Sequence, residues 1–211
     1  MKQTLLIITA LMLVVGFSDA QTHKGMEFYE SGEPKSINTY KESRGKLELV
    51  KFVSWHRNGQ KKDEGTFKDG ELNGKVTLWY ENGQKSAERT YKDGKEDGKW
   101  TEWHDNGQKR SEETYKDGGY DGKWTEWYRN GQKKEEGNYK DGAHWDGKWT
   151  YWSPDGKESS ELIYKDGAHW DGKWTYWYEN GQKMIEDTYK DGEVIEATRW
   201  DEDGNVIHEW E

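Results

Sequence analysis

The chain contains no cysteine. Disulfides, thiolate catalysis, cysteine-ligated zinc and a lipidated N-terminal cysteine are thereby excluded. Apolar residues are also scarce, at 30% of 211 residues, against roughly 45–50% (glycine counted) in an average domain. Few aliphatic side chains remain to fill a thick core. There is no basic stripe: the formal net charge is -10 and the lysines are interleaved with Asp and Glu. Nucleic acid and anionic membrane surfaces attract clustered Lys and Arg, so neither is expected as a partner. After the N-terminus, no apolar run approaches the roughly 20 residues of a spanning helix.

What is present is aromatic. The chain holds 14 Trp, 13 Tyr and 4 Phe, beside 35% charged residues and 25 Gly. High charge with few aliphatics would ordinarily mean disorder. Rings that each bury on the order of 150–250 Å² argue the other way.

The N-terminus reads as a secretory signal. Lys2 gives a short basic start, Leu5 to Phe17 is a nearly unbroken apolar run, and Ser18-Asp19-Ala20 supplies small residues for cleavage before Gln21. A signal-peptide helix over 1–20 is predicted, and with it a secreted or periplasmic product with no transmembrane segment after cleavage. Association with the cell surface stays open.

The rest is a repeat. Turn glycines fall at Gly32, Gly59, Gly83, Gly107, Gly131, Gly156, Gly181 and Gly204, spaced by 27, 24, 24, 24, 25, 25 and 23 residues. Four residues before each stands a ring: Phe28, Trp55, Trp79, Trp103, Trp127, Trp152, Trp177 and Trp200. Eight residues after the first seven stands another: Tyr40, Phe67, Tyr91, Tyr115, Tyr139, Tyr164 and Tyr189. Glycine-bearing turns every ten to twelve residues exclude long helices. Each unit therefore reads as two strands and two tight turns, and the chain as an elongated all-β array of antiparallel hairpins. In the unit 98–118, Asn106-Gly107 is expected to form a type I′ turn. A two-residue turn would set Trp103 against Arg110 and Trp100 against Glu113. Trp100 and Trp103 then lie on opposite faces, unless a β-bulge brings them to one side. Residues 21–53 read as a divergent N-terminal capping repeat, 54–204 as repeats of 24–25 residues, and 205–211 as a C-terminal cap.

The pattern Gly-Lys-Trp-Thr-x-Trp-Tyr-x-Asn-Gly-Gln-Lys followed by Tyr-Lys-Asp-Gly resembles the MORN repeat variant. The best copies are 74–94, 98–118, 122–142, 147–167 and 172–192. Bacterial proteins built from this variant are often labelled antitoxins of the YwqK family. The resemblance implies an elongated antiparallel β meander or solenoid used for protein contacts, and it brings no catalytic residue. A looser resemblance joins Gly147-Lys-Trp-Thr-Tyr-Trp and Gly172-Lys-Trp-Thr-Tyr-Trp to choline- and glucan-binding cell-wall repeats, which are also aromatic-rich hairpins.

The candidate ligand-binding residues are Trp103, Trp127, Trp145, Trp152, Trp170 and Trp177, because aromatic rows stack on sugars, clamp peptides and dominate interface hot spots. Trp145 and Trp170 stand in two longer turns, 141–147 and 166–172, where little core is available to them. His144 and His169 share those turns, but their Asp neighbours recur in turns without His, so turn chemistry accounts for them and no metal is expected. Glu112-Glu113 and Glu135-Glu136 are strand neighbours that point to opposite faces, unlike a glycosidase pair. Trp103/Arg110, Trp55/Lys62 and Trp127/Lys134 are expected as cation–π pairs within hairpins. No cofactor and no catalysis are expected. The leading reading is an exported non-catalytic repeat protein that binds a protein or peptide through an aromatic-lined sheet. A carbohydrate or envelope-glycan module and an antitoxin-like neutraliser of a partner protein are the alternatives.

Overall fold

The computed structural model describes residues 22–43, 45–142, 144–145, 147–165, 168–178 and 182–210, with backbone alone at 141–142, 144–145, 158, 169–170 and 210. The expected signal segment and the side chains of Trp145, Trp170, His144 and His169 lie outside the described residues.

The chain divides into two compact units, one ending at Gly107 and one beginning at Gln108. The first holds β1 (Thr22–Phe28), β2 (Pro34–Ser43), β3 (Lys46–Trp55), β4 (Lys61–Lys68), β5 (Glu71–Leu72), β6 (Gly74–Trp79), β7 (Lys85–Lys92), β8 (Lys95–Glu96) and β9 (Gly98–Trp103). The second holds β10 (Lys109–Lys116), β11 (Gly119–Trp127), β12 (Lys133–Gly142), β13 (His144–Trp145), β14 (Gly147–Trp152), β15 (Glu158–Lys165), β16 (Ala168–Trp177), β17 (Lys183–Lys190), β18 (Glu193–Trp200) and β19 (Val206–Trp210). Within each unit the strands pair antiparallel with their chain neighbours, and the short β5, β8 and β13 serve as steps between longer ones. The all-β hairpin meander read from the sequence is the fold.

The type I′ turn expected at Asn-Gly is found at Asp-Gly instead. Asp69 and Gly70 both have positive φ, at 52° and 88°, and they join Lys68 directly to Glu71. This is the type I′ turn, and Asp93, Asp117 and Asp191 repeat it. At the described Asn-Gly turns only the glycine is left-handed, with Gly59 at 81°. His56 N donates to Gln60 O at 2.8 Å and Gly59 N to His56 O at 3.0 Å. That is a three-residue type I loop closed by a glycine bulge. The expectation of type I′ at Asn-Gly is corrected: the pairing between residues 56 and 60 leaves three residues to span rather than two.

The bulge alters the register only beside the turn. Trp55 pairs with Lys61, whereas Ser54 pairs with Asp63 and Phe52 with Gly65. Lys62 is the extra residue, so the bulge lies on the strand opposite the tryptophan. Strand alternation on the tryptophan side continues undisturbed, and the two ring sets stay on opposite faces.

In each unit, one face carries the inner rings. A Cβ at Gly65 would meet Phe52 at 2.6 Å and Val76 at 3.0 Å, and one at Gly137 would meet Trp149 at 2.1 Å. Trp149 is 0% exposed and packs with Leu162 and Tyr164, flanked by Trp124, Tyr139, Tyr151 and Trp174. Edge-to-face contacts carry this row onward, Tyr139 to Trp149 at 5.4 Å and Trp149 to Tyr164 at 6.2 Å. The opposite face carries alternating Thr and Glu. Thr77 stands between Glu64 and Glu88, and Thr125 between Glu112 and Glu136. Lysines tie this face together, with Lys75 and Lys85 both on Glu88 at 2.5 and 2.6 Å.

One joint departs from the pattern. Between β12 and β14, Glu135 faces Tyr151 and Glu136 faces Thr150. Between β15 and β16, Glu161 faces Lys173 rather than Thr175, a displacement of two residues. The turns 141–147 and 166–172 have the same sequence, yet the first pairs Lys140 with His144 and the second pairs Lys165 with Ala168. A two-residue slip preserves which side chains share a face but moves Trp174 and Trp177 along the strand.

Candidate ligand-binding cleft

The segment from the ladder tryptophan through the turn works as a clasp onto the next hairpin. The residue after Trp reaches the next tryptophan's carbonyl: Tyr29 Oη donates to Trp55 O, Tyr80 Oη to Trp103 O, Tyr128 Oη to Trp152 O and Tyr178 Oη to Trp200 O, at 2.6–2.9 Å. His56 Nε2 makes the same bridge to Trp79 O at 2.8 Å. The turn asparagine uses both ends of its amide. Asn82 Oδ1 accepts from its own Gln84 N, while Nδ2 donates to Asp105 O of the following turn at 2.7 Å. Asn130 does likewise with Gln132 N and Pro154 O. The glutamine lies against the next turn glycine, Gln84 on Gly107 and Gln132 on Gly156, within 3 Å of where a Cβ would stand.

The lysine two residues after the glycine covers the next ladder tryptophan. Lys61 Nζ lies 5.2 Å from the Trp79 ring centroid, Lys85 5.8 Å from Trp103, Lys109 5.3 Å from Trp127, Lys133 5.1 Å from Trp152 and Lys183 5.5 Å from Trp200. The same lysines hold the Glu row, as Lys133 does Glu136 at 2.7 Å. This corrects the expected pairs within hairpins. The cation over Trp127 is Lys109, while Lys134 turns to Glu126 at 2.8 Å. The bulge makes Lys61 and Lys133, not Lys62 and Lys134, the direct cross-strand neighbours of Trp55 and Trp127.

Of the tryptophans singled out in the sequence, Trp103, Trp127 and Trp152 are therefore half-buried and already covered by a lysine of the chain itself. Trp177 is different, being 37% exposed. The hairpin before it reads Ser153-Pro154-Asp155-Gly156-Lys157-Glu158, where the five other interior hairpins, at 56–61, 80–85, 104–109, 128–133 and 178–183, read Tyr or His, any residue, Asn, Gly, Gln, Lys. It receives the clasp from Tyr128, Asn130, Gln132 and Lys133 but lacks the groups to pass it on. Ser153 Oγ bonds within its own turn, to Asp155 and to Lys157 O. Lys157 pairs with Asp155 at 2.9 Å, and the Ser153 hydroxyl, followed by that lysine, holds the exposed Asp155 carboxyl down at about 2.

At this joint lies a cleft of about 880 Å³. Tyr128, Tyr151, Trp152, Trp174, Tyr176, Trp177 and Tyr178 give it rings. Ser159, Ser160, Lys157 and Asp155 form polar edges, with Lys134 and Glu135 also present. Burial, abetted by the neighbouring Glu126, raises the Glu135 carboxyl above its ordinary 4.5, although Lys134 and the Trp124 indole pull the other way. Burial also raises the Tyr151 and Tyr164 hydroxyls, the latter to about 12, and the two oxygens are 3.2 Å apart. Among the described residues, no group of three or more metal-ligating side chains converges. Sequence reasoning had named Trp152 and Trp177 but not the residues that open the cleft. Aligning the hairpins position by position exposes 153–158 as the interior copy without Tyr or His, Asn, Gln and Lys.

Fold and clasp together define a tandem β-hairpin repeat protein in which most turns grip the next. Four segments of the chain, residues 72–93, 96–117, 120–141 and 170–191, match the model of the MORN repeat variant. The departing hairpin falls between the third and fourth matched segments. No curated protein matches the chain. MORN repeats are in general binding modules and a non-catalytic repeat type.

Proposed function

We propose that this chain is an exported, non-catalytic repeat protein that binds a protein or peptide in the ring-lined cleft beside Trp152 and Trp177. The observation that supports this reading is an interior hairpin that accepts the clasp without passing it on, leaving the Trp177 ring uncovered where its equivalents are covered. Interface hot spots favour Trp and Tyr seated in partly desolvated pockets. The apolar run at 5–17 supports export. A peptide-display selection on the chain from Gln21 onward tests the binding reading, with counter-selection on Trp152→Ala/Trp177→Ala. Recovery of peptides that the double variant fails to hold is expected. A selection that returns no peptide, or peptides that bind both chains equally, overturns the reading. Quenching of tryptophan fluorescence by oligosaccharides with no peptide recovered would transfer the cleft to the carbohydrate reading.

A further inference from the structure

The clasp shows what the outer face of a ladder tryptophan takes. Five tryptophans, at 79, 103, 127, 152 and 200, each carry a lysine ammonium 5.1–5.8 Å from the ring centroid. Two ladder tryptophans follow hairpins without that lysine. Trp55 follows Pro34, and its carbonyl is still gripped by Tyr29 Oη at 2.7 Å. Trp177 follows Glu158, and among the described residues it has neither a cation over its ring nor a side-chain donor on its carbonyl.

We propose that Trp177 seats a lysine or arginine side chain presented by a polypeptide partner, in the place the repeat's own lysine occupies over the other five tryptophans. This rests on the peptide-binding reading of the cleft and names the chemistry it selects. A cation over an indole face is attracted by the ring quadrupole, more strongly where water is partly excluded. Charge at the cleft supports the choice. Its two lysines are already engaged, Lys134 by Glu126 at 2.8 Å and Lys157 by Asp155 at 2.9 Å. Glu135 adds a further carboxyl, and the whole chain is negative at -10. Glu158 itself places an acid in the sequence position where the repeat has its cation.

The test uses the indole N–H resonances of the chain from Gln21 onward, titrated with N-acetyl-lysine amide and N-acetyl-arginine amide. N-acetyl-norleucine amide is the uncharged control. The Trp177 signal, assigned by its loss in Trp177→Phe, should move with both cations and not with norleucine, while Trp79 stays still. Glu158→Lys supplies the missing cation in cis and should abolish the Trp177 response, whereas Glu158→Gln should retain it. Lys61→Ala uncovers Trp79 and should make that indole respond in turn, an arm independent of the behaviour of residue 158. Equal shifts with norleucine, or an undiminished response in a folded Glu158→Lys, overturn the proposal. Display peptides that need Trp177 but carry no Lys or Arg overturn it as well, and leave the peptide-binding reading intact. A display selection with no peptides defeats the broader reading instead.

Discussion

At the scale of single residues, a protein with so few aliphatics concentrates its burial in a small number of rings. Trp149 has no exposed surface, and the glycine across from it at 137 leaves no room even for a methyl group. Truncating a buried tryptophan costs its transfer energy and leaves a cavity. Trp149→Ala should destabilise the chain by about 3–5 kcal/mol, read as a lower urea midpoint at unchanged slope. The left-handed aspartates offer a second residue-scale test. Asp69 has φ of 52°, where a β-branched side chain is strained and a short Asn or Asp is tolerated. Asp69→Val is expected to cost about 1–2 kcal/mol in the same measurement, and Asp69→Gly close to nothing. A valine as stable as the wild type would mean that the turn is not type I′.

At the scale of the element, the hairpin is stabilised by its successor as much as by its own ladder. The Tyr80 hydroxyl lies 2.6 Å from Trp103 O, a bond between neighbouring hairpins that either one alone would lose. Tyr80→Phe should cost about 0.5–1.5 kcal/mol, with amide-exchange protection falling at the 79–85 and 103–107 turns before it falls in mid-strand. Uniform loss of protection would contradict the clasp. This is also where sequence reading reached its limit. Period, the two long strands per unit and the ring at the Gly-minus-four position follow from local spacing and reappear in the sheet, while the two-residue strands β5, β8 and β13 were not anticipated. The choice between type I′ and the bulged type I turn could not be made locally, because Asn-Gly and Asp-Gly both admit left-handed glycine. The flanking pair, His56 with Gln60 or Lys68 with Glu71, decides it. The clasp was equally hidden, since Lys61 acts on Trp79 and Lys133 on Trp152, partners in different copies. Once that reach is known, Glu158 in a lysine position becomes a readable signal.

At the scale of the whole molecule, opposed carboxyl groups govern the response to pH. On the Thr-Glu face, contacts from Lys75 and Lys85 hold the Glu88 carboxyl below its ordinary 4.5. Burial works to raise Glu136 and Glu186, but paired lysines outweigh it and hold both below 4.5. A carboxyl whose folded value is depressed stabilises the fold above its unfolded value, and that contribution is lost as pH falls through the folded one. Glu135 has the opposite sign. Burial raises it, so its contribution is present below 4.5 and is lost as the pH rises through its folded value. Urea midpoints should therefore fall on acidification below about 4.5. Glu88→Gln, Glu136→Gln and Glu186→Gln combined should flatten that decline and lower the neutral midpoint. Added salt should shrink the difference, because these pairs are partly exposed and screened. Glu135→Gln should instead raise the neutral midpoint and leave the acid one unchanged, since it removes a charge that the cleft holds at a cost. If Glu135→Gln proved destabilising at neutral pH, the carboxylate would be held by attraction from Lys134, and the cleft would be less inviting to an incoming cation than its composition implies.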